Sequence, residues 1–200
     1  MRKVLILFLL TVFLQAANGC ANTFSDDLQI KEQKLKEAHG FSNWPGKTKP
    51  PIDAVRFSKD QFPGLETAKE VRVSSSDTKV GSVSVKTTDY YWIFSKDDTL
   101  LVRVTRANSS SDAQELLIRR WASASASHSV KTPGAKYAMN LGDVCFAAQS
   151  GNHDRFIKIW FVRNNLMTEI NASGKMQNLA RGIAERIDDL FQKPKNGGHP

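Results

Sequence analysis

The stretch DVCFAAQSGNHDRFIKIWFVRNNLMTEIN, residues 143–171, decides the fold. Residues 143–149 read as a strand, with Cys145 alternating against Val144 and Phe146. Gly151-Asn152-His153-Asp154 reads as a turn, and 155–163 as a second strand. Asn164-Asn165 suits a tight hairpin, because Asn tolerates φ > 0, and 166–171 returns as a third strand. Residues 155–163 are apolar on both sides, Ile157, Ile159 and Phe161 against Phe156, Trp160 and Val162. That is the pattern of a central strand covered by helices on both faces.

After this block, Ser173 is placed to cap a final helix. Met176, Leu179, Ala180, Ile183, Ile187, Leu190 and Phe191 share one face of it at 3, 4 and 7 spacing. Before the block, residues 70–74, 79–86 and 89–95 read as strands. Lys96-Asp97-Asp98 is a turn, and 99–106 is the antiparallel partner of the strand before it. A Ser cap at Ser111, with Gln114 three residues on, opens a helix whose buried stripe is Ala113, Leu117, Trp121 and Ala124. Serines from Ser123 to Ser129 are expected to fray it, and Thr132-Pro133-Gly134 to turn the chain. The resulting order, ββββ-α-βββ-α, predicts an α+β fold: a mainly antiparallel sheet covered by helices, compatible with an α/β/α sandwich. The order resembles that of the PsbP-like and LpqN-like sandwich proteins. The likeness rests on element order and the terminal helix, so it implies no function.

Upstream, residues 25–38 read as a helix capped by Ser25, and three prolines between Pro45 and Pro51 forbid regular structure. The chain therefore divides into residues 1–19, a signal peptide; 20–64, a helical and Pro-rich arm; 65–192, the α+β domain; and 193–200, a loose tail. The signal peptide has its three usual parts: Arg2 and Lys3, an apolar run from Val4 to Leu14 broken only by Thr11, and the small residues Ala16, Ala17 and Gly19. The run is shorter than the roughly 20 residues a membrane span needs. Cys20 follows directly. Leu14-Gln15-Ala16-Ala17-Asn18-Gly19-Cys20 resembles the signal of bacterial lipoproteins, in which a small residue precedes a Cys that is lipidated. Gly19 and Cys20 fit that pattern; Ala17 and Asn18 depart from it. The resemblance implies a membrane anchor at Cys20, in the outer membrane where a cell has one and sorts by the next residue, here Ala21. Ordinary signal cleavage is the alternative. Cys20 would then be free, removed, or paired in a disulfide with Cys145, the chain's other cysteine.

The 200 residues carry a formal charge of +8, and +6 without Arg2 and Lys3. The basic residues are interleaved with acids, as in Lys31-Glu32-Gln33-Lys34-Leu35-Lys36-Glu37, rather than gathered on one face. That is the pattern of a solvated surface, so no nucleic-acid partner is expected. The length, with 40% apolar and 24% charged residues, suits one domain and excludes a repeat array, a collagen-like chain or a multi-pass membrane protein.

Catalytic motifs are scarce. His39, His128, His153 and His199 have no metal-ligand spacing, and no phosphate loop, dinucleotide fingerprint or nucleophile elbow occurs, so neither metal nor cofactor is expected. The one cluster that could do chemistry is Asp143, Cys145, His153 and Asp154, in which Cys145 and His153 could form a thiolate nucleophile. Against it, Cys145 sits where cysteine serves as a small hydrophobe, and His153 is in a turn. The acid pairs Asp26/Asp27, Asp97/Asp98 and Asp188/Asp189 fall in turns or on helix faces read as exposed, and Trp92, Trp121 and Trp160 read as core. Asn108-Ser109-Ser110 and Asn171-Ala172-Ser173 match glycan acceptors and also suit helix caps. The expectation is a non-enzymatic envelope lipoprotein that binds a protein, lipid or glycan partner. Its rival is a soluble secreted enzyme or inhibitor with a Cys20–Cys145 disulfide.

Overall fold

The computed structural model describes residues 57–80, 83–127, 141–149 and 155–192, together with residues 29, 30, 32–34 and 37. The chain divides into two compact units, Met1–Pro45 with Ile118–His128, and Gly46–Leu117 with Ser129–Pro200. In the first unit the described residues from 29 to 37 are helical, Gln33 Nε2 donates to Glu37 Oε1 at 2.8 Å, and Glu32, Ile118, Trp121 and Ala122 are buried.

The second unit is built on one six-stranded antiparallel sheet. Its strands are β1 (Glu70–Val80), β2 (Val83–Ile93), β3 (Thr99–Arg106), β4 (Val144–Gln149), β5 (Phe156–Arg163) and β6 (Leu166–Ala172). Their order across the sheet is β1-β2-β3-β6-β5-β4. Among the described residues the unit's helices are the first part of α1 (Ser110–Ser127), which passes into the first unit at Ile118, and α2 (Ala180–Gln192). The fold is therefore α+β with a mainly β core.

The expected order is corrected in one respect: three strands, not four, precede α1. Residues 70–80 run unbroken, and so do 83–93. The expected break before Asp89 does not occur, because Thr87 and Thr88 are β-branched and stay in the ladder opposite Thr105 and Val104. The likeness to the sandwich proteins thus loses the element order it stood on. A second correction concerns which strand is central. β5 is next to an edge, whereas β6 lies between β3 and β5 and is buried along nearly its whole length, its polar Thr168 and Glu169 included.

One face of the sheet carries the main core. Tyr90, Trp92, Leu100, Val102, Ile159, Phe161 and Ile170 meet Ile183, Ala184, Ile187 and Phe191 of α2, which packs on β5 and β6. Two residues of the segment read as an arm belong to this core: Phe62 is 1% exposed, and Phe57 packs against Phe62, Tyr90 and Phe191.

Turns and caps set the connections. Asn164 takes φ 55° in the β5–β6 turn, as its sequence anticipates. Gly142 takes φ 64°, and the Val162 carbonyl fills the space a Cβ would need, so only glycine fits. Helix α1 opens two residues before the expected cap: Asp112 N donates to Ser109 Oγ at 3.1 Å. The reason is tertiary, since Ala107 is pinned to Asn165 by bonds of 2.9 and 3.1 Å, which leaves Ser109 at the helix entrance. The helix extends among the serines as far as Ser127. Ser173 does not cap a helix with its side chain. Its hydroxyl donates to Asp97 O at 2.7 Å and accepts from Thr99 N at 2.9 Å, joining the end of β6 to the start of β3.

Candidate functional site

Of the cluster proposed for chemistry, the structure describes Asp143 and Cys145; His153, Asp154, Cys20 and the other three histidines lie outside the described residues. Cys145 is on β4, directly opposite Phe161, and packs against the main core. It is a free thiol, with Sγ 3.9 Å from the Phe146 carbonyl oxygen. Burial pushes the thiol up to about 12, and the negative field of Asp188 adds to the shift. A nucleophilic cysteine needs the opposite, a cationic neighbour that favours the thiolate. Cys145 therefore stays protonated and serves as a small apolar side chain.

Asp143 belongs to a charge network. Arg163, at the end of β5, donates Nε to Asp188 Oδ1 at 2.7 Å and Nη2 to Asp188 Oδ2 at 2.6 Å. Its Nη1 reaches Asp143 Oδ1 at 3.3 Å. Asp188 Oδ2 also accepts from Gly142 N and Gln192 Nε2, each at 3.1 Å, and Asp143 Oδ2 accepts from Asn164 N at 2.6 Å. The reading of Asp188 as an exposed acid is corrected, because it is 3% exposed. Its carboxylate accepts four hydrogen bonds from within the protein, one at Oδ1 and three at Oδ2. The two carboxylates hold the Arg163 guanidinium well above its ordinary range. The network fastens α2, the β5–β6 turn and the entrance to β4 together, which is structural work.

A second polar group, missed in the sequence, lies on the opposite sheet face. The register aligns Asp89, Arg103, Glu169 and Trp160 in one row across β2, β3, β6 and β5. Arg103 Nε and Nη2 donate to Asp89 Oδ1 and Oδ2, each at 2.8 Å, and Nη1 lies 3.9 Å from Glu169 Oε2. Glu169 Oε1 accepts from Asn171 Nδ2 at 3.0 Å, and Lys158 Nζ stands 5.7 Å over the Trp160 ring. Arg103 faces two carboxylates, so the row is electrostatically closed and is no anion site. Part of the signal for it was present in the sequence: Arg103 is flanked by Val102 and Val104 in an otherwise apolar run.

The remaining candidates separate. Trp92 and Trp160 are each 1% exposed and on opposite sheet faces, so they share no binding patch; Trp121, in the other unit, is 2% exposed. Asp98 accepts from Lys175 N at 2.8 Å and Ser95 Oγ at 3.0 Å, which holds its carboxyl below the usual range. Among the described residues, no group of three or more His, Cys, Asp or Glu side chains is placed to hold a metal, and no helix is long and apolar enough to cross a membrane. Comparison with known proteins adds no family: no family model, curated protein or solved structure matches this chain.

Proposed function

We propose that this chain is an exported bacterial envelope protein, anchored by lipid at Cys20, whose α+β domain is a binding or assembly module rather than an enzyme. The observation that carries the reading is the N-terminal run from Arg2 to Gly19, which ends at Cys20 in the form of a lipoprotein signal. The protonated, core-packed Cys145 supports the non-enzymatic part, as does the spending of Asp143 and Asp188 on Arg163. In this reading the N-terminal arm carries the domain away from the membrane, and helices cover the sheet in an α/β/α arrangement. The partner is an envelope protein, lipid or glycan, not nucleic acid, and the compartment is the periplasmic side of a membrane.

The test is the intact mass of the mature protein from membrane and soluble fractions of its host. An acylated N-terminus at Cys20, lost in Cys20→Ala, is the expected result. Soluble, unacylated protein lacking two hydrogens would establish the Cys20–Cys145 disulfide and overturn the anchor.

A further inference from the structure

The two edges of the sheet are unlike. β4 is six residues long, and its pairing shifts register between Ala148 and Gln149. Short length and irregular pairing are devices that stop an edge from recruiting another strand. β1 has neither. It runs eleven residues without proline or register shift, and among the described residues it pairs on one side only, with β2. Ten of its residues are exposed, among them Val73 at 60% and Val71 at 41%. Both valines lie on the core face of the sheet, opposite Tyr90 and Trp92. An edge of this kind offers a row of backbone donors and acceptors beside an apolar strip.

We infer that β1 pairs antiparallel with β1 of a second copy of this chain, on a two-fold axis through Val73. A two-fold axis of this kind keeps each sheet face continuous, so opposed residues must lie an even number of positions apart. The charges then choose among the few allowed registers. Centring on Arg72 opposes two arginines. Centring on Ser74 sets each Lys69 against Lys79 of the other copy and each Val71 against Asp77. Centring on Ser75 sets Val71 against Lys79 and Val73 against Asp77. Centring on Val73 opposes Val73 to itself, Val71 to Ser75, and Lys69 to Asp77 twice. Centring on Val71 or Thr78 also opposes unlike charges, Glu70 to Arg72 or Asp77 to Lys79, but overlaps only one end of β1; the Val73 register alone combines opposed unlike charges with a strip of four valines. Arg72 keeps its own partner, Glu70, through Nε at 2.5 Å and Nη2 at 3.1 Å. A single pair of strands buries less than the roughly 1,200 Å² of a stable interface, so the dimer is expected to be weak, with Kd on the order of micromolar.

Sedimentation equilibrium of the full chain tests this, from about 1 to several hundred micromolar. The expected mass rises from 22.3 kDa towards twice that value. Val73→Lys abolishes the rise while leaving the circular dichroism spectrum unchanged. Lys69→Glu weakens it, and adding Asp77→Lys restores it. Mild oxidation in a Cys20→Ser background distinguishes the register. Val73→Cys cross-links at least ten times faster than Val71→Cys or Ser75→Cys, whose like positions sit about 13 Å apart, beyond disulfide reach. A chain monomeric throughout overturns the inference and leaves β1 to a strand from a different protein. Equal cross-linking at the three positions, a dimer indifferent to Val73→Lys, or failure of the charge swap to restore association overturns it as well.

Discussion

Cys145 shows how one environment sets one residue's chemistry. Below the ordinary thiol value of 9.0, both the folded and the unfolded chain hold the proton, and the group adds no pH dependence. Above it the unfolded chain ionises while the folded thiol resists until about 12, so this residue withdraws stability as pH rises through that window. We expect Cys145→Ala to flatten the alkaline limb of the stability curve between pH 9 and 11, measured by urea denaturation at each pH. We also expect the native thiol to resist iodoacetamide at pH 8 until denaturant is added. Rapid native labelling would show an accessible thiolate and revive the nucleophile reading. The sequence put Cys145 correctly in a half-buried strand. It could not show that the charge acting on the thiol would be Asp188, which is 43 positions away and of the wrong sign for catalysis.

At the level of elements, the chief electrostatic question is how α2 is fastened. Its apolar stripe was legible from spacing, and Ile183, Ile187 and Phe191 are buried as expected. The Arg163–Asp188 pair was not legible, because an acid on a helix is exposed by default and only docking buries it. Removing one partner leaves a largely buried charge poorly matched, which typically costs about 3–5 kcal/mol. Asp143 remains near Arg163 at 3.3 Å and softens the loss, so we expect Asp188→Ala to destabilise by about 3 kcal/mol. Arg163→Met combined with Asp188→Leu should recover most of it. Chemical denaturation of the four-member cycle measures this, and additive single losses would show that the pair is not coupled.

On the scale of the whole molecule, the sheet is asymmetric. Two three-stranded meanders join along β3 and β6, so the strands at the seam are flanked on both sides while β1 is exposed. Hydrogen exchange should follow that gradient. At low concentration, amides of β6 around Thr168 and Ile170, both 0% exposed, should open only with global unfolding. Amides of β1 should exchange first, and those on its outer edge should gain protection as concentration rises. Slow, concentration-independent exchange along β1 would mean that another element covers it.

What the sequence determined by itself was local. Alternation located four of the six strands nearly to their ends, Asn164-Asn165 marked the β5–β6 turn, and 3, 4 and 7 spacing marked α2, because each signal is a period within one short segment. Tertiary structure alone decided the β3–β6 seam, the central place of β6, the use of Ser173 as a latch and the burial of Asp188. Those outcomes depend on partners far along the chain, such as Leu100 opposite Ala172 and Arg163 bound to Asp188. A hydrogen bond or an ion pair has no period, so nothing in a single strand or helix announces which distant residue will complete it.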